Sequence, residues 1–307
     1  MPEMDDEIVE KYMKAGHAVA KALDLAKKIT RPGTKYLDLA KLIEGEILDN
    51  GCELSFPINI SLDEQAAHYS PVINDKNVVP EHGLLKIDCG SHYNGYIADA
   101  AVTINLGNDE GIYKTLIKAA SDALDAALTN AKPGVDVAVI GRFIQDAMDR
   151  HGVKPISNLG GHGLDQYNLH TGIFIPNTPA AGRPTQLELG RAYAIEPFAT
   201  NGAGRIKNGR QKTIFQVVST KKKGLKLVER SLANKFKEKF NKLPFSPRAI
   251  DFMQDETKIE SIVDKFVRKG ILMAYPVFLE VGNGLVAQKE HTFVMTKDGA
   301  KITTKLH

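Results

Sequence analysis

The chain has 307 residues, with 40 Lys+Arg against 37 Asp+Glu and only two cysteines, Cys52 and Cys89. So even a charge balance gives no bulk electrostatic case for a nucleic-acid protein, and two cysteines cannot build a disulfide framework. No apolar run approaches the roughly 18 residues of a bilayer span, and the acidic opening Met1-Pro2-Glu3-Met4-Asp5-Asp6-Glu7 lacks the basic region of a secretory leader. A cytoplasmic protein that does not cross a membrane is expected.

The first element is a helix. Val9, Tyr12, Met13, Gly16, Val19, Ala20, Leu23 and Ala26 recur at helical spacing, and Arg31-Pro32-Gly33 ends the run. A second helix is predicted from Tyr36 to Leu48, closed by Asn50-Gly51. The same unit then recurs 101 residues later. Ala22-Leu23-Asp24 before Pro32-Gly33 matches Ala123-Leu124-Asp125 before Pro133-Gly134, and Leu39, Leu42 and Ile43 match Ile140, Phe143 and Ile144. Chance supplies a Pro-Gly pair more easily than a pair, a triplet and an apolar register at one offset. More loosely, Leu84-Leu85-Lys86-Ile87-Asp88 resembles Ala192-Tyr193-Ala194-Ile195-Glu196, and His68 and His170 lie 102 apart. Two similar halves would then bring strand ends and histidines toward one axis.

After Lys221-Lys222-Lys223-Gly224 the pattern turns helical, over Leu225 to Phe240 and Thr257 to Lys269, with a proline-containing loop at 241–247 between them. Strand-like runs follow at Val277 to Val281, Leu285 to Gln288 and Thr292 to Thr296. The predicted organisation is a catalytic domain of residues 1–218 and 272–307, interrupted by a helical, winged-helix-like insertion of residues 219–271.

Asp88 and Asp99 flank Asn94-Gly95, a strong hairpin signal that would set the two acids close together. On its own the pair fits a solvated surface hairpin as well as a cation site. An aspartate at the end of Leu84-Leu85-Lys86-Ile87 favours the latter, because an unpartnered buried charge is costly. His162 stands in Gly160-Gly161-His162-Gly163; a single histidine is more often structural than a ligand, but His170 adds a second imidazole nearby. Glu196 ends an apolar strand, and Glu290 separates two apolar runs. Asp88, Asp99, His162, Glu196 and Glu290 make an oxygen-rich donor set, wrong for structural zinc and suited to a pair of Mn-, Fe- or Co-like ions. Such pairs activate water for hydrolysis, and aminopeptidases are among their users.

Taken in order, Phe56-Pro57, Ala66-Ala67-His68-Tyr69, Lys86-Ile87-Asp88 with Asp99, Gly161-His162 with Tyr167 and His170, Ala194-Ile195-Glu196-Pro197-Phe198 and Glu290-His291-Thr292 resemble the type 2 methionine aminopeptidases in their short archaeal form. The resemblance covers nearly the whole chain. It implies the pita-bread fold, an α+β pseudo-two-fold architecture, here with the helical insertion. It implies removal of N-terminal methionine from nascent polypeptides, with two divalent ions (Co, Mn, Fe or Zn) held by Asp88, Asp99, His162, Glu196 and Glu290.

By the same resemblance, His68, His170 and Glu196 are catalytic: Glu196 accepts a proton, His170 polarises the scissile carbonyl and His68 contacts the peptide beside it. Phe56, Leu169 and Tyr275, with His68 and His170, fall where the family holds its substrate. The 94 residues from Glu196 to Glu290 fit type 2, since type 1 enzymes have a much shorter gap. A monomer is expected. The charged N-terminal extension of eukaryotic type 2 members is absent, so ribosome association through it is not supported. Gly83 also departs from the polar residue other members often have there.

Three other readings stand beside this one. Prolidase and aminopeptidase P share the ligands and fold but usually carry an extra N-terminal domain. Some relatives have lost ligands and only bind. Lys235, Lys237 and Lys239 with Lys221 to Lys223 could mark a nucleic-acid face, but Glu229, Glu238, Asp251, Asp255 and Glu256 interrupt it, and nucleic acid is not an expected partner.

Overall fold

The structure is a computed structural model that describes residues 3–107, 111–180, 182–220 and 224–306. Lys221, Lys222 and Lys223 lie outside the described residues. The N-terminal half runs α1 (Asp6–Ile29), α2 (Tyr36–Asp49), β1 (Glu53–Leu62), β2 (Gln65–Ala67), β3 (Leu84–Tyr93) and β4 (Tyr96–Asn105). Its counterpart runs α3 (Ile112–Asn130), α4 (Val137–Asp149), β5 (Lys154–Pro155), β6 (Gly160–Leu164), β7 (Phe174–Pro176), β8 (Ala192–Ile195) and β9 (Phe198–Thr200). There follow β10 (Ile206–Val217), α5 (Leu227–Phe240), a 3-10 turn (Pro247–Ala249), α6 (Glu256–Arg268), β11 (Leu272–Glu280), β12 (Val286–Gln288), β13 (His291–Thr296) and β14 (Gly299–Ile302).

The duplication is visible in backbone bonds. Gly33 N–H donates to Val79 O at 2.8 Å, and Gly134 N–H donates to Leu187 O at 2.8 Å. Tyr36 to Asn77 and Val137 to Thr185 repeat the pattern at 2.9 and 2.8 Å. Gly33 and Gly134 have φ of +82° and +84°, a left-handed turn that glycine alone enters freely, which is why Pro-Gly recurs there. One departure is Leu42, counted above as apolar register but 55% exposed: the buried stripe of α2 is Tyr36, Leu39, Ala40, Ile43 and Ile47.

Each half has its own core. Helices α1 and α2 pack on β1, β3 and β4 through Val19, Leu39, Ile43, Ile60 and Ile87, and α3 and α4 cover the second half through Leu124, Ile140, Ile144, Tyr193 and Phe293. A separate cluster joins α5 and α6 to β10 and β11 through Phe236, Phe245, Val263, Phe266 and Leu272.

Three sheet features aim side chains at the space between the halves. Asn94 and Gly95, with φ of +53° and +88°, close the β3–β4 hairpin. Asp88 pairs with Ala101 and Gly90 with Asp99, so the two acids share one face two positions apart. In β1, Phe56 faces Gly90 and Asn59 faces Asp88, three residues against two. This bulge falls at Pro57, which has no N–H for the ladder, and it turns both Phe56 and Asn59 inward where strict alternation would separate them. In β10, Lys212 faces Pro276 and Ile214 faces Tyr275, leaving Thr213 as the extra residue of another bulge.

Candidate metal centre

Asp88 on β3, Asp99 on β4, His162 on β6, Glu196 just beyond β8 and Glu290 between β12 and β13 converge on one cavity. Pairing places them: His162 lies opposite Ala194 on β8, and His291, next to Glu290, lies opposite Ile195. Donor atoms of Asp99, His162 and Glu290 all lie within 4.8 Å of one another. His162 Nε2 is 3.6 Å from Asp99 Oδ2 and 4.0 Å from Glu196 Oε1. Phe56, His68, Leu169, His170 and Tyr275 line the same cavity, so it brings together every site residue named from the sequence.

Four acids in one buried site repel each other. Burial, then the neighbouring carboxylates, pushes Asp88, Glu196 and Glu290 well above the ordinary carboxylate range. Burial also raises Asp99, to about 7, although hydrogen bonds to Asp88 and Glu290 hold it back. Burial lowers His162 to about 4, leaving a neutral imidazole with a lone pair to offer. Asp88 Oδ1, Asp99 Oδ1 and Glu290 Oε1 are buried with no hydrogen-bond partner. Unsatisfied anionic oxygens around one neutral imidazole are what a hard or borderline divalent ion neutralises, so the donor set fits such an ion.

Residues missed in the sequence complete the site. Gln288, 1% exposed, sets its amide nitrogen 3.5 Å from Asp88 and 3.4 Å from both Glu196 and Glu290. Its position two residues before Glu290 on one strand was the available signal. Asn59, Ile214 and Phe278 join the wall. Asn59 and Ile214 sit beside bulges, where counting by two fails. The Thr292 hydroxyl accepts from Asp99 N–H and donates to Asp99 O, both at 2.8 Å, tying β13 to β4.

The two auxiliary histidines differ. His68 packs 4.3 Å from Phe278 and 5.5 Å from Tyr275, ring centre to ring centre, and its Nδ1 lies 3.2 Å from Pro276 O. A carbonyl only accepts, so Nδ1 carries the proton and Nε2 is left as an acceptor. Burial keeps this ring neutral, with a pKa lowered to about 4. His170 is solvent-exposed, with its ring centre 4.5 Å from that of His162; desolvation at the cavity wall, then His162, holds it below the usual range.

The model of metallopeptidase family M24 matches residues 10–297. The methionine aminopeptidase of Saccharolobus solfataricus is 39% identical over 303 residues, covering 98% of this chain and 99% of its own. Among solved structures, a thermophilic Arx1 superposes with a TM-score of 0.86 at 19% identity, covering 99% of this chain and 92% of that one. The methionine aminopeptidase of Thermotoga maritima gives 0.72 at 23% identity with both chains fully covered. The architecture is the pita-bread fold implied by the sequence motifs. The chain belongs to metallopeptidase family M24 and, within it, to the methionine aminopeptidases.

Proposed function

We propose that this protein removes the initiator methionine from nascent polypeptides by hydrolysing the first peptide bond, with two divalent ions held by Asp88, Asp99, His162, Glu196 and Glu290. The observation that carries this reading is the convergence of those five donors, several with unsatisfied buried oxygens, on the floor of one cavity. Its upper wall is apolar: Phe56, Leu169, Ile214, Tyr275 and Phe278 offer a thioether chain a matching surface. Co, Mn, Fe and Zn all suit the donors.

When bound, the ions would acidify a water and polarise the scissile carbonyl. The protein's own groups do the rest. Glu196, with 16% of its side chain open to the cavity, takes a proton and returns it to the leaving amine. The His68 Nε2 acceptor meets an N–H of the substrate peptide, and His170 faces the carbonyl oxygen from the solvent side. The 94-residue gap before Glu290 assigns the chain to type 2, with residues 219–271 as an insertion into a catalytic domain of 1–218 and 272–307. We read the protein as a cytoplasmic monomer.

Metal-stripped protein reloaded with each ion in turn and given Met-Ala-Ser and Ala-Pro peptides provides the test. Methionine release saturating at two ions per chain is expected. Preferential cleavage of Ala-Pro would point to a prolidase-like enzyme, and no metal-dependent turnover to a binding protein; either refutes the proposal.

A further inference from the structure

His68 follows β2 directly and has a φ of +69°, the left-handed region that a non-glycine residue keeps only when its surroundings hold it there. Two contacts supply that hold. The Thr213 hydroxyl donates to His68 O at 3.2 Å and accepts from Ser70 N–H at 3.0 Å, so one side chain spans both ends of the unusual segment. The Pro276 carbonyl fixes the ring through Nδ1. Thr213 is 1% exposed, which leaves no room for water to replace its hydroxyl.

The reason Thr213 reaches residues 68–70 lies in the β10–β11 ladder. Thr213 is the extra residue where Lys212 faces Pro276 and Ile214 faces Tyr275. Pro276 brings no N–H to the ladder, and a bulge absorbs that defect while re-aiming one side chain. Pro276 thus accounts for both halves of the clamp: its carbonyl holds the His68 ring, and the bulge opposite it delivers the hydroxyl that holds the His68 backbone. Ile60 N–H donates to Tyr69 O at 2.7 Å from the other side, so the segment is enclosed between β1 and β10.

We propose that Thr213 is a positioning residue for His68: its hydroxyl keeps residues 68–70 in the conformation that presents the imidazole to the substrate, and it affects turnover only through His68. This rests on His68 taking part in turnover, as read above.

The test is a double-mutant cycle on metal-loaded enzyme with a Met-Ala-Ser peptide. Thr213→Val, which keeps the shape and removes the hydroxyl, is expected to lower kcat about tenfold with KM changed less than about threefold. Thr213→Ser, which keeps the hydroxyl, is expected to return kcat to within about threefold of the parent. In a His68→Ala background, Thr213→Val is expected to change kcat by less than about twofold. A parent-like kcat in Thr213→Val, or an equal loss in both backgrounds, overturns the proposal. An unchanged kcat in His68→Ala alone overturns the role of His68 itself, a result read without reference to Thr213. Should Thr213→Val fold poorly, Thr213→Ala carries the same comparison without added bulk.

Discussion

Arg248, on the 3-10 turn between α5 and α6, forks onto both oxygens of Glu44 on α2 and also donates to Pro71 O at 3.1 Å. Glu44 Oε1 in turn accepts from Ile58 N–H at 3.0 Å. The pair therefore links the helical segment to two stretches flanking the cavity, Phe56 to Asn59 and His68 to Pro71. Its side chains are only 11% and 10% exposed, so solvent screens it poorly. Arg248→Met leaves a buried carboxylate short of two bonds. Removing one partner of a buried pair costs about 3–5 kcal/mol, and the residual exposure sets the expectation near the low end, about 3 kcal/mol. Glu44→Leu strands the guanidinium and also Ile58 N–H, for about 4 kcal/mol. In the double variant both charges go and the Ile58 N–H penalty remains, about 2 kcal/mol. Urea unfolding of metal-loaded protein followed by far-UV circular dichroism suits a chain with no Trp. Single-variant costs below about 1 kcal/mol that simply add would match a screened surface pair and refute the reasoning.

The acid cluster predicts how metal-free protein responds to pH. Its carboxyls have folded pKa values above the unfolded ones, so stability is full below the unfolded value and is lost as pH rises through the folded one. Stripped protein should melt lower at pH 8 than at pH 5.5, adding Mn should remove the slope, and a flat profile without metal would contradict the electrostatics. Glu280 has the opposite sign: burial would raise it, but N–H donors from Gly284, Gly282 and Gly204 hold its pKa below normal. Its contribution is present above the unfolded value and fades as pH falls through the folded one, so Glu280→Gln should cost about 2 kcal/mol in neutral urea melts, with the gap to the parent closing in acid. Gly95→Ala meets both a φ of +88° and the Tyr167 ring 2.4 Å from the new methyl, so it should push away the loop carrying His170, lowering kcat and the melting temperature together. Asp99→Asn should cut kcat by more than about a hundredfold in protein that circular dichroism shows to be folded.

Much of the fold was legible because it rests on local signals. Pro-Gly pairs at a fixed offset, the Asn94-Gly95 turn and apolar strands ending in acids each reflect a backbone or burial constraint carried by neighbouring residues. The five residues that converge on the cavity were legible for the same reason: a charged or imidazole group among apolar neighbours stands out. What escaped was set by register. Strand β11 begins at Leu272, five residues before the predicted start, because Pro276 within the run reads as a breaker while the ladder bulges around it. Asn59, Ile214 and Thr213 lie at or beside such bulges, so alternation misplaces them. Gln288 was overlooked because a neutral amide gives no charge anomaly, although three carboxylates surround it.

The cavity is bordered by strands of separate sheets, which creates a problem that backbone pairing cannot solve. Strands β1, β3 and β4 form one sheet and β10, β11 and β2 another, while β9 lies between β12 and β5 in a third and β8 between β13 and β6 in a fourth. Where these edges meet, main-chain groups next to site residues lack ladder partners, yet buried groups must be satisfied. Threonines meet the need, Thr213 and Thr292 buried and Thr103 half-buried. The Thr292 hydroxyl bridges both main-chain groups of Asp99, Thr103 does the same for Gln288 at 2.7 and 2.8 Å, and Thr213 spans His68 and Ser70. A hydroxyl suits the task because it donates and accepts at one atom, and a β-branched side chain holds it in few rotamers. Two of the bridges reach Asp99 and His68, which line the cavity, and the third reaches Gln288, whose amide lies against three of its carboxylates. Short hydroxyl side chains thus tie the main chain at the centre, Thr292 and Thr103 between sheets and Thr213 between β10 and the turn after β2, and substitution of any one by valine, equal in shape but without the hydroxyl, leaves two main-chain groups without that partner beside the cavity.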